Sequence, residues 1–307
     1  MKKVYFIYNP YSGKGTIQSK ITKIVSMLTE HDYEVTIRPT QCQMDACETV
    51  KRICSELPLY DLVLCSGGDG TLNEVIQGLM TSENRIPVGY IPSGTTNDFA
   101  RSINTPKGYE NALLSIIHGS SISLDIGSFN SKYFTYIAAF GAFTEVAYET
   151  RQQTKNMLGH VAYILEGMRH LNKIQSYSLT ISHDGETTSG EYVFGMITNT
   201  AYVGGLLSMG EDFSLNDGLY EVTLIKTPNS PLELQSVLSS LINIKQAINT
   251  EYVTFFKTSD IKITSDDDLT WTLDGENGGK VNSVHIYNNH KALRFITPPA
   301  RIIEIEE

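Results

Sequence analysis

Three short stretches in the first hundred residues combine glycine with small hydroxyl, amide and carboxylate side chains. They are Asn9-Pro10-Tyr11-Ser12-Gly13-Lys14-Gly15, Ser66-Gly67-Gly68-Asp69-Gly70-Thr71 and Pro92-Ser93-Gly94-Thr95-Thr96-Asn97-Asp98-Phe99-Ala100-Arg101. Glycine lets a backbone come close to a bulky anion, and the N–H groups that open a helix attract phosphate. Three such loops in succession suit one polyanion, with Lys14 and Arg101 as nearby cations. The first loop is not a P-loop: Tyr8 stands where the first glycine belongs, and Gly15 where Ser or Thr should follow Lys14. Nor is there a G-x-G-x-x-G dinucleotide fingerprint. Each loop alone also has a plainer explanation, a β-to-α turn needing φ > 0 with Asp69, Asn97 or Asp98 as a helix cap.

Two acidic turns in the second half, His183-Asp184-Gly185-Glu186 and Leu273-Asp274-Gly275-Glu276, each set two carboxylates two residues apart. That spacing suits a base or a metal ligand. Asp-Gly is equally a dipeptide of type I′ hairpins. Residue chemistry alone leaves the choice between the two turns open. Asp266-Asp267-Asp268 reads as a solvated loop.

The elements that would position these residues follow from hydrophobic period. Val4–Tyr8, Val35–Arg38, Leu62–Cys65 and Pro87–Ile91 read as strands. Between them, Ile17, Ile21, Ile24, Val25 and Leu28, then Met44, Cys47, Val50, Cys54 and Leu57, recur at helical spacing. Further helices are expected at Glu74–Met80 and Asn97–Ser102. Strand alternating with helix over short loops predicts right-handed crossovers and a mostly parallel sheet. From about Ser121 strands dominate: Tyr133–Ala139, Ser178–Ser182, Val193–Thr198, Tyr220–Lys226, Asp260–Thr264, Trp271–Leu273, Val284–Tyr287 and Leu293–Ile296. Asp184-Gly185, Asp217-Gly218 and Asp274-Gly275 read as hairpin turns between them. One helix is marked by Leu158, Val161, Ala162, Leu165 and Met168; another opens at Ser230-Pro231-Leu232-Glu233 with a capping box. The predicted fold is therefore two-domain. An α/β nucleotide-binding domain with a mostly parallel sheet spans residues 1–125, and an antiparallel β-sandwich spans 126–297. The tail 298–307 carries Ile302, Ile303 and Ile305, enough to dock back on the first domain.

The 307 residues suffice for two cores, and the formal net charge of -10 disfavours bulk nucleic acid as a partner. Cys42, Cys47, Cys54 and Cys65 form no C-x-x-C pair, which argues for free thiols in a reducing compartment rather than a zinc site. Val4–Tyr8 after Met1-Lys2-Lys3 is too short for a secretory signal, and no apolar run approaches the roughly 20 residues of a spanning helix. A cytoplasmic chain that touches membranes only from the surface is expected, with self-association as a homodimer left open.

The ordered set of motifs resembles the diacylglycerol kinase catalytic-domain family of lipid kinases, related also to sphingosine kinases. The resemblance rests on Asn9-Pro10-x-Ser12-Gly13, Gly67-Gly68-Asp69-Gly70-Thr71 and Gly94-Thr95-x-Asn97-Asp98-Phe99-Ala100-Arg101. It continues through Leu124-Asp125-Ile126-Gly127, Leu158-Gly159-x-x-Ala162-Tyr163, Asn216-Asp217-Gly218 and Asp274-Gly275-Glu276. The resemblance implies ATP bound between a nucleotide domain and a β-rich domain, and ATP- and Mg²⁺-dependent phosphorylation of a lipid hydroxyl, with diacylglycerol the first expectation. It puts Asn9, Ser12, Gly13, Thr40, Gly67, Gly68, Asp69, Gly70, Thr71, Asn73, Glu74 and Thr95 at ATP-contacting positions, with Asn97 and Asp98 in the third loop. Asp274 matches the proton acceptor, with Glu276 beside it to orient it or assist Mg²⁺; Asp69, Asp98 and Asp125 match an acidic network. A structural Mg²⁺ would fall on the Asp217 carboxylate and the main-chain carbonyls of Ser214 and Leu219. Where the family commonly has Pro-x-Ala, this chain has Met209-Gly210-Glu211-Asp212-Phe213-Ser214. The Gly-Gly-Asp-Gly-Thr element is shared with NAD kinases, so an NAD kinase-like phosphotransferase competes, as does a non-catalytic nucleotide or lipid sensor. Arg151, Lys155, Arg169 and Lys173 are candidates for the membrane-facing surface that a lipid substrate requires.

Overall fold

The structure is a computed structural model. It describes residues 1–13, 15–95, 97–141, 175–200, 202–203, 207–208, 214–230, 232–233, 236–237 and 250–299. Lys14, the helix expected around Leu158–Met168, the four candidate membrane-facing cations and the isoleucines of the tail lie outside the described residues. The chain divides into two compact units, Met1–Ile126 with Lys291–Glu307, and Gly127–His290. Leu293–Ile296, expected in the second domain, thus belongs to the first unit.

In the first unit, β1 (Lys2–Tyr8), a 3₁₀ turn (Thr16–Lys20), α1 (Ile21–Glu30), β2 (Tyr33–Pro39), α2 (Asp45–Ser55), β3 (Leu62–Gly67), α3 (Asp69–Met80), β4 (Val88–Pro92), α4 (Asp98–Ser102) and α5 (Tyr109–Ile117) follow in order. β1 pairs in parallel with β2 and β3, and β3 in parallel with β4. Every residue of β3 is buried, as its unbroken apolar run requires of a strand covered on both faces. Ile17, Ile24 and Leu28 pack with Val4, Phe6, Leu64, Ile91, Leu113 and Ile116 in one core. The helical stripe expected from Met44 to Leu57 overruns α2 at both ends, where Met44 and Leu57 are exposed. α3 begins five residues before the expected Glu74, so Asp69, Gly70 and Thr71 form its first turn rather than a free loop. Gly70 hides that start, because glycine is a poor helix former. α5, which buries Ala112, Leu113 and Ile116 at helical spacing, was not anticipated.

Around and within the second unit run β5 (Ser120–Phe129), β6 (Lys132–Phe134), β7 (Ile137–Gly141), β8 (Tyr177–His183), β9 (Glu186–Thr198), β10 (Tyr202–Val203), β11 (Leu207–Ser208), β12 (Tyr220–Lys226), β13 (Val253–Thr258), β14 (Asp260–Leu273) and β15 (Glu276–Thr297). Among the described residues, the ladders of this unit are antiparallel. β9 and β14 are long enough to hold two partners in succession, β7 and β8, and so anchor the antiparallel core. Tyr133–Ala139, expected as one strand, is broken at Thr135-Tyr136. Two expected pairs of strands instead fuse. Asp260–Thr264 with Trp271–Leu273 becomes β14, whose register slips between Thr264 and Leu269, and Val284–Tyr287 with Leu293–Ile296 becomes β15. Asp266-Asp267-Asp268 is exposed as expected, but it lies in the irregular part of β14 rather than in a loop. At Ser230, the hydroxyl accepts the Glu233 N–H at 3.2 Å while the Glu233 carboxylate accepts the Asn229 N–H at 2.7 Å. The capping box is therefore present, reaching one residue further back than its usual form.

The chain's one tryptophan, Trp271, is fully buried in this core between Phe129 and Phe140, at centroid distances of 5.0 and 4.9 Å. Its removal leaves a large cavity that the surrounding strands cannot close. Trp271→Ala is expected to cost about 3–5 kcal/mol of stability, read by urea denaturation followed by circular dichroism. A loss below about 1 kcal/mol would contradict this packing.

Candidate functional site

The three glycine loops of the first unit meet backbone to backbone. A Cβ on Gly13, whose φ is +58°, would lie 2.2 Å from the Ser93 carbonyl oxygen, and one on Gly94 would lie 2.6 Å from the Cα of Gly68. No side chain fits at either contact. Gly67 is closed to a side chain by Thr71 itself, 2.4 Å from its would-be Cβ. Asn9 ties the first two loops, donating its amide to the Thr71 hydroxyl at 3.2 Å and accepting the Tyr11 N–H at 2.9 Å. Ser12 is buried beside Gly68. The Thr40 N–H donates to the Tyr8 carbonyl at 2.9 Å, which brings the end of β2 alongside the start of the first loop. In the third loop the Asn97 carboxamide turns back on Gly94, accepting its N–H at 3.0 Å and donating to its carbonyl at 2.9 Å. Tyr90, buried on β4, donates to the Gly67 carbonyl at 3.1 Å and so joins the second loop to the strand that leads into the third. Thr95 is exposed.

The acidic residues of these loops have structural duties. Asn97 occupies the cap position of α4 with φ 51°, but its side chain makes no capping bond. Asp69 supplies that function instead, with Oδ2 and Oδ1 each 3.4 Å from the N–H groups of Asp98 and Phe99. Glu74, expected at an ATP-contacting position, accepts the Met44 and Ala46 N–H groups at 2.8 and 3.2 Å and so caps α2 from α3. Asn73 accepts from Gln77 on the same helix at 3.2 Å. Asp125 is almost wholly buried and accepts the Lys291 N–H at 2.7 Å. The cap residue of α3 is Gly68, which makes no side-chain capping bond.

In the second unit two of the Asp-Gly pairs are type I′ turns, with φ 48° and 81° at Asp184-Gly185 and 50° and 79° at Asp274-Gly275. Their carboxylates differ completely. Asp184 is exposed and meets His183 at 3.2 Å. Asp274 is 4% exposed, and four hydrogen bonds reach it from a single segment. Oδ2 accepts the Thr135 N–H at 2.7 Å and its hydroxyl at 2.9 Å; Oδ1 accepts the Tyr136 and Ile137 N–H groups at 2.9 and 3.1 Å. Burial pushes the Asp274 carboxyl above its ordinary pKa, and these bonds pull it back. Glu276 is exposed. Thr135, the segment's contribution to this site, was not singled out from sequence.

Ser214, Asp217 and Leu219 share one turn. Asp217 Oδ1 accepts the Leu219 N–H at 3.0 Å, and Lys257 stands 3.9 Å from Oδ2 and 2.9 Å from Glu221. Asp217 lacks positive φ, so Asp217-Gly218 is not the type I′ hairpin that its sequence suggested. Glu221 is 6% exposed and its Oε2 is buried without a partner. The orphaned Glu221 oxygen and the Asp217 carboxylate, which share Lys257 as a neighbour, are hard donors of the kind that suits a hard cation.

Residues 3–129 match the family model described as "Diacylglycerol kinase catalytic domain", and residues 139–296 match "YegS C-terminal NAD kinase beta sandwich-like domain". A curated diacylglycerol kinase of Bacillus subtilis (strain 168) is 32% identical over all of both chains. One of Staphylococcus aureus (strain JH9) is 35% identical over 91% of this chain and 88% of its own. A solved structure from Bacillus anthracis str. Sterne, assigned to the diacylglycerol kinases, superposes with a TM-score of 0.80 at 25% identity, over 98% of each chain.

Among the loop residues, Asp98 carries an electrostatic cost. Desolvation first, and the neighbouring Asp69 second, hold its pKa above the ordinary carboxylate value, against the pull of Arg101 at 3.9 Å. A folded pKa above the unfolded one means that ionisation costs stability at neutral pH and costs nothing below the unfolded pKa. Asp98→Asn is therefore expected to stabilise the chain at neutral pH, with the gain vanishing below about pH 4. Urea denaturation across that range is the check; a gain independent of pH would contradict the electrostatic cause.

Proposed function

The chain belongs to the diacylglycerol kinase catalytic-domain family of lipid kinases, and from that premise we propose that it transfers the γ-phosphoryl group of ATP to a lipid hydroxyl. Diacylglycerol is the acceptor that the relatives' names favour, with phosphatidic acid as product. The observation that carries the ATP half of this proposal is the contact of Gly13 with Ser93 and of Gly68 with Gly94. It leaves backbone N–H groups and the start of α3, whose cap residue Gly68 makes no side-chain bond, as the chemistry on offer to a phosphate. Phosphoryl transfer asks chiefly for positioning and charge stabilisation, which fixed amide dipoles supply without reorganising. Mg²⁺ would neutralise charge on the ATP phosphates. A separate structural cation would be held by Asp217 with the carbonyls of Ser214 and Leu219, where it would offset buried negative charge. Contact with the bilayer would be from its surface; no helix among the described residues is long and apolar enough to cross it.

Asp274 is the proton acceptor in this proposal. A lipid hydroxyl is a weak nucleophile at neutral pH, and a carboxylate in reach should take its proton during attack. Burial favours that role by raising the carboxyl's proton affinity. The test is labelled ATP offered with diacylglycerol, sphingosine or NAD. Transfer to NAD alone would favour the NAD kinase-like alternative, and ATP binding without transfer to any acceptor would favour a sensor. Asp274→Asn is expected to lower kcat by roughly 10²–10⁴ while ATP binding is largely kept. It also turns an amide NH₂ toward backbone donors, so its melting temperature must be measured alongside. Asp184→Asn, at the exposed turn, should be nearly silent. Loss of turnover at Asp184 with activity kept at Asp274 would reverse the assignment.

A further inference from the structure

An ionised carboxylate has about four lone-pair sites, and among the described residues four donors converge on those of Asp274. If Asp274 is the base, a proton can take a lone pair that one of these donors holds once that donor gives way. Three of the four are N–H groups of consecutive residues, Thr135, Tyr136 and Ile137, fixed by the backbone between β6 and β7. The fourth is the Thr135 hydroxyl, 2.9 Å from Oδ2, on a side chain that is 3% exposed. A hydroxyl hydrogen rotates about its C–O bond; a backbone N–H does not.

We propose that Thr135 is a positioning residue for Asp274, its hydroxyl holding Oδ2 ionised and directed and then yielding that lone pair to the acceptor's proton. The inference rests on the assignment of Asp274 as base. In the step it serves, the acceptor oxygen bonds to the γ-phosphorus as the bond from that phosphorus to ADP breaks, ADP leaving with the electron pair. The acceptor's proton passes to Oδ2 as the Thr135 hydrogen turns away. A bond donated to the charged form lowers a carboxyl's pKa, and the Thr135 bonds act on Asp274 in that direction. Other titratable groups stand around the turn among the described residues. Glu276 lies on the turn itself, and Lys280 is exposed further along β15. Lys132, from β6, bonds the Gly278 carbonyl at 2.8 Å, and the Tyr136 phenol would lie 3.8 Å from a Cβ on Gly275. β7 and β14 contribute Ile137–Ala139 and Trp271–Leu273, none of which titrates.

The experiment is the pH profile of kcat/KM for the full chain, with labelled ATP and diacylglycerol in mixed micelles. Thr135→Val deletes the hydroxyl and keeps the shape. Its acid limb is expected to move up by about one pH unit, with KM for ATP unchanged, and Thr135→Ser should restore the wild-type profile. Thr135→Ala, which adds no methyl in the hydroxyl's place, repeats the readout if the valine variant misfolds. Trp271 fluorescence reports the fold of each variant. An unmoved acid limb in a folded variant, while Asp274→Asn is inactive, overturns the role of Thr135 and leaves the base assignment standing. Full turnover by Asp274→Asn overturns the base assignment itself, and the inference with it.

Discussion

The first unit depends on an approach of backbone to backbone that no side chain permits. Gly13 against Ser93 and Gly68 against Gly94 leave less room than a methyl group needs. Everything else in that unit holds the contact in place. The parallel strands β1, β3 and β4 deliver their carboxyl ends side by side, and the loops that follow are tied by Asn9 to Thr71, by Tyr90 to Gly67 and by Asn97 to Gly94. Even the acidic groups serve this arrangement. Asp69 and Glu74 spend their oxygens on the N–H groups of neighbouring helices, so the loops are braced by carboxylates.

The second unit builds its site on the opposite plan. There a carboxylate is swallowed and three successive N–H groups converge on it, the arrangement by which proteins bind anions. Two turns of the same type and nearly the same sequence are thus put to different uses. Asp184 leaves its carboxylate in solvent at the end of a hairpin. Asp274 turns inward because β6 and β7 part at Thr135-Tyr136 and offer it donors. The difference lies in the segment that packs against the turn rather than in the turn.

That explains what could be read from the sequence. The glycine loops were legible because glycine at strand ends has a local cause, and the alternation of strand and helix has a period that the residues display. The register of the broken strand was not. Tyr133–Ala139 carries strand formers throughout, and the carboxylate that interrupts it lies 139 residues away from Thr135. Asp69 and Glu74 were legible as polar residues in a phosphate-binding context, but not as caps of α4 and α2. A helix shows the need for a cap in its own sequence, whereas the acceptor that caps it can come from anywhere in the fold. The start of α3 was hidden by Gly70, and the break between β14's two apolar halves was read as a loop because three aspartates fill the slipped register.

The central claim is that the close glycine contact forms the ATP phosphate cradle, and the affinity of Gly94→Ala for MgATP tests it most directly. Titration calorimetry on the full chain measures that affinity, with circular dichroism to show that the variant is folded. A methyl group 2.6 Å from the Gly68 Cα must part the second and third loops. The account predicts a loss of at least about tenfold in affinity, the scale of roughly 1.4 kcal/mol. A folded variant that binds MgATP as tightly as the wild type would contradict it.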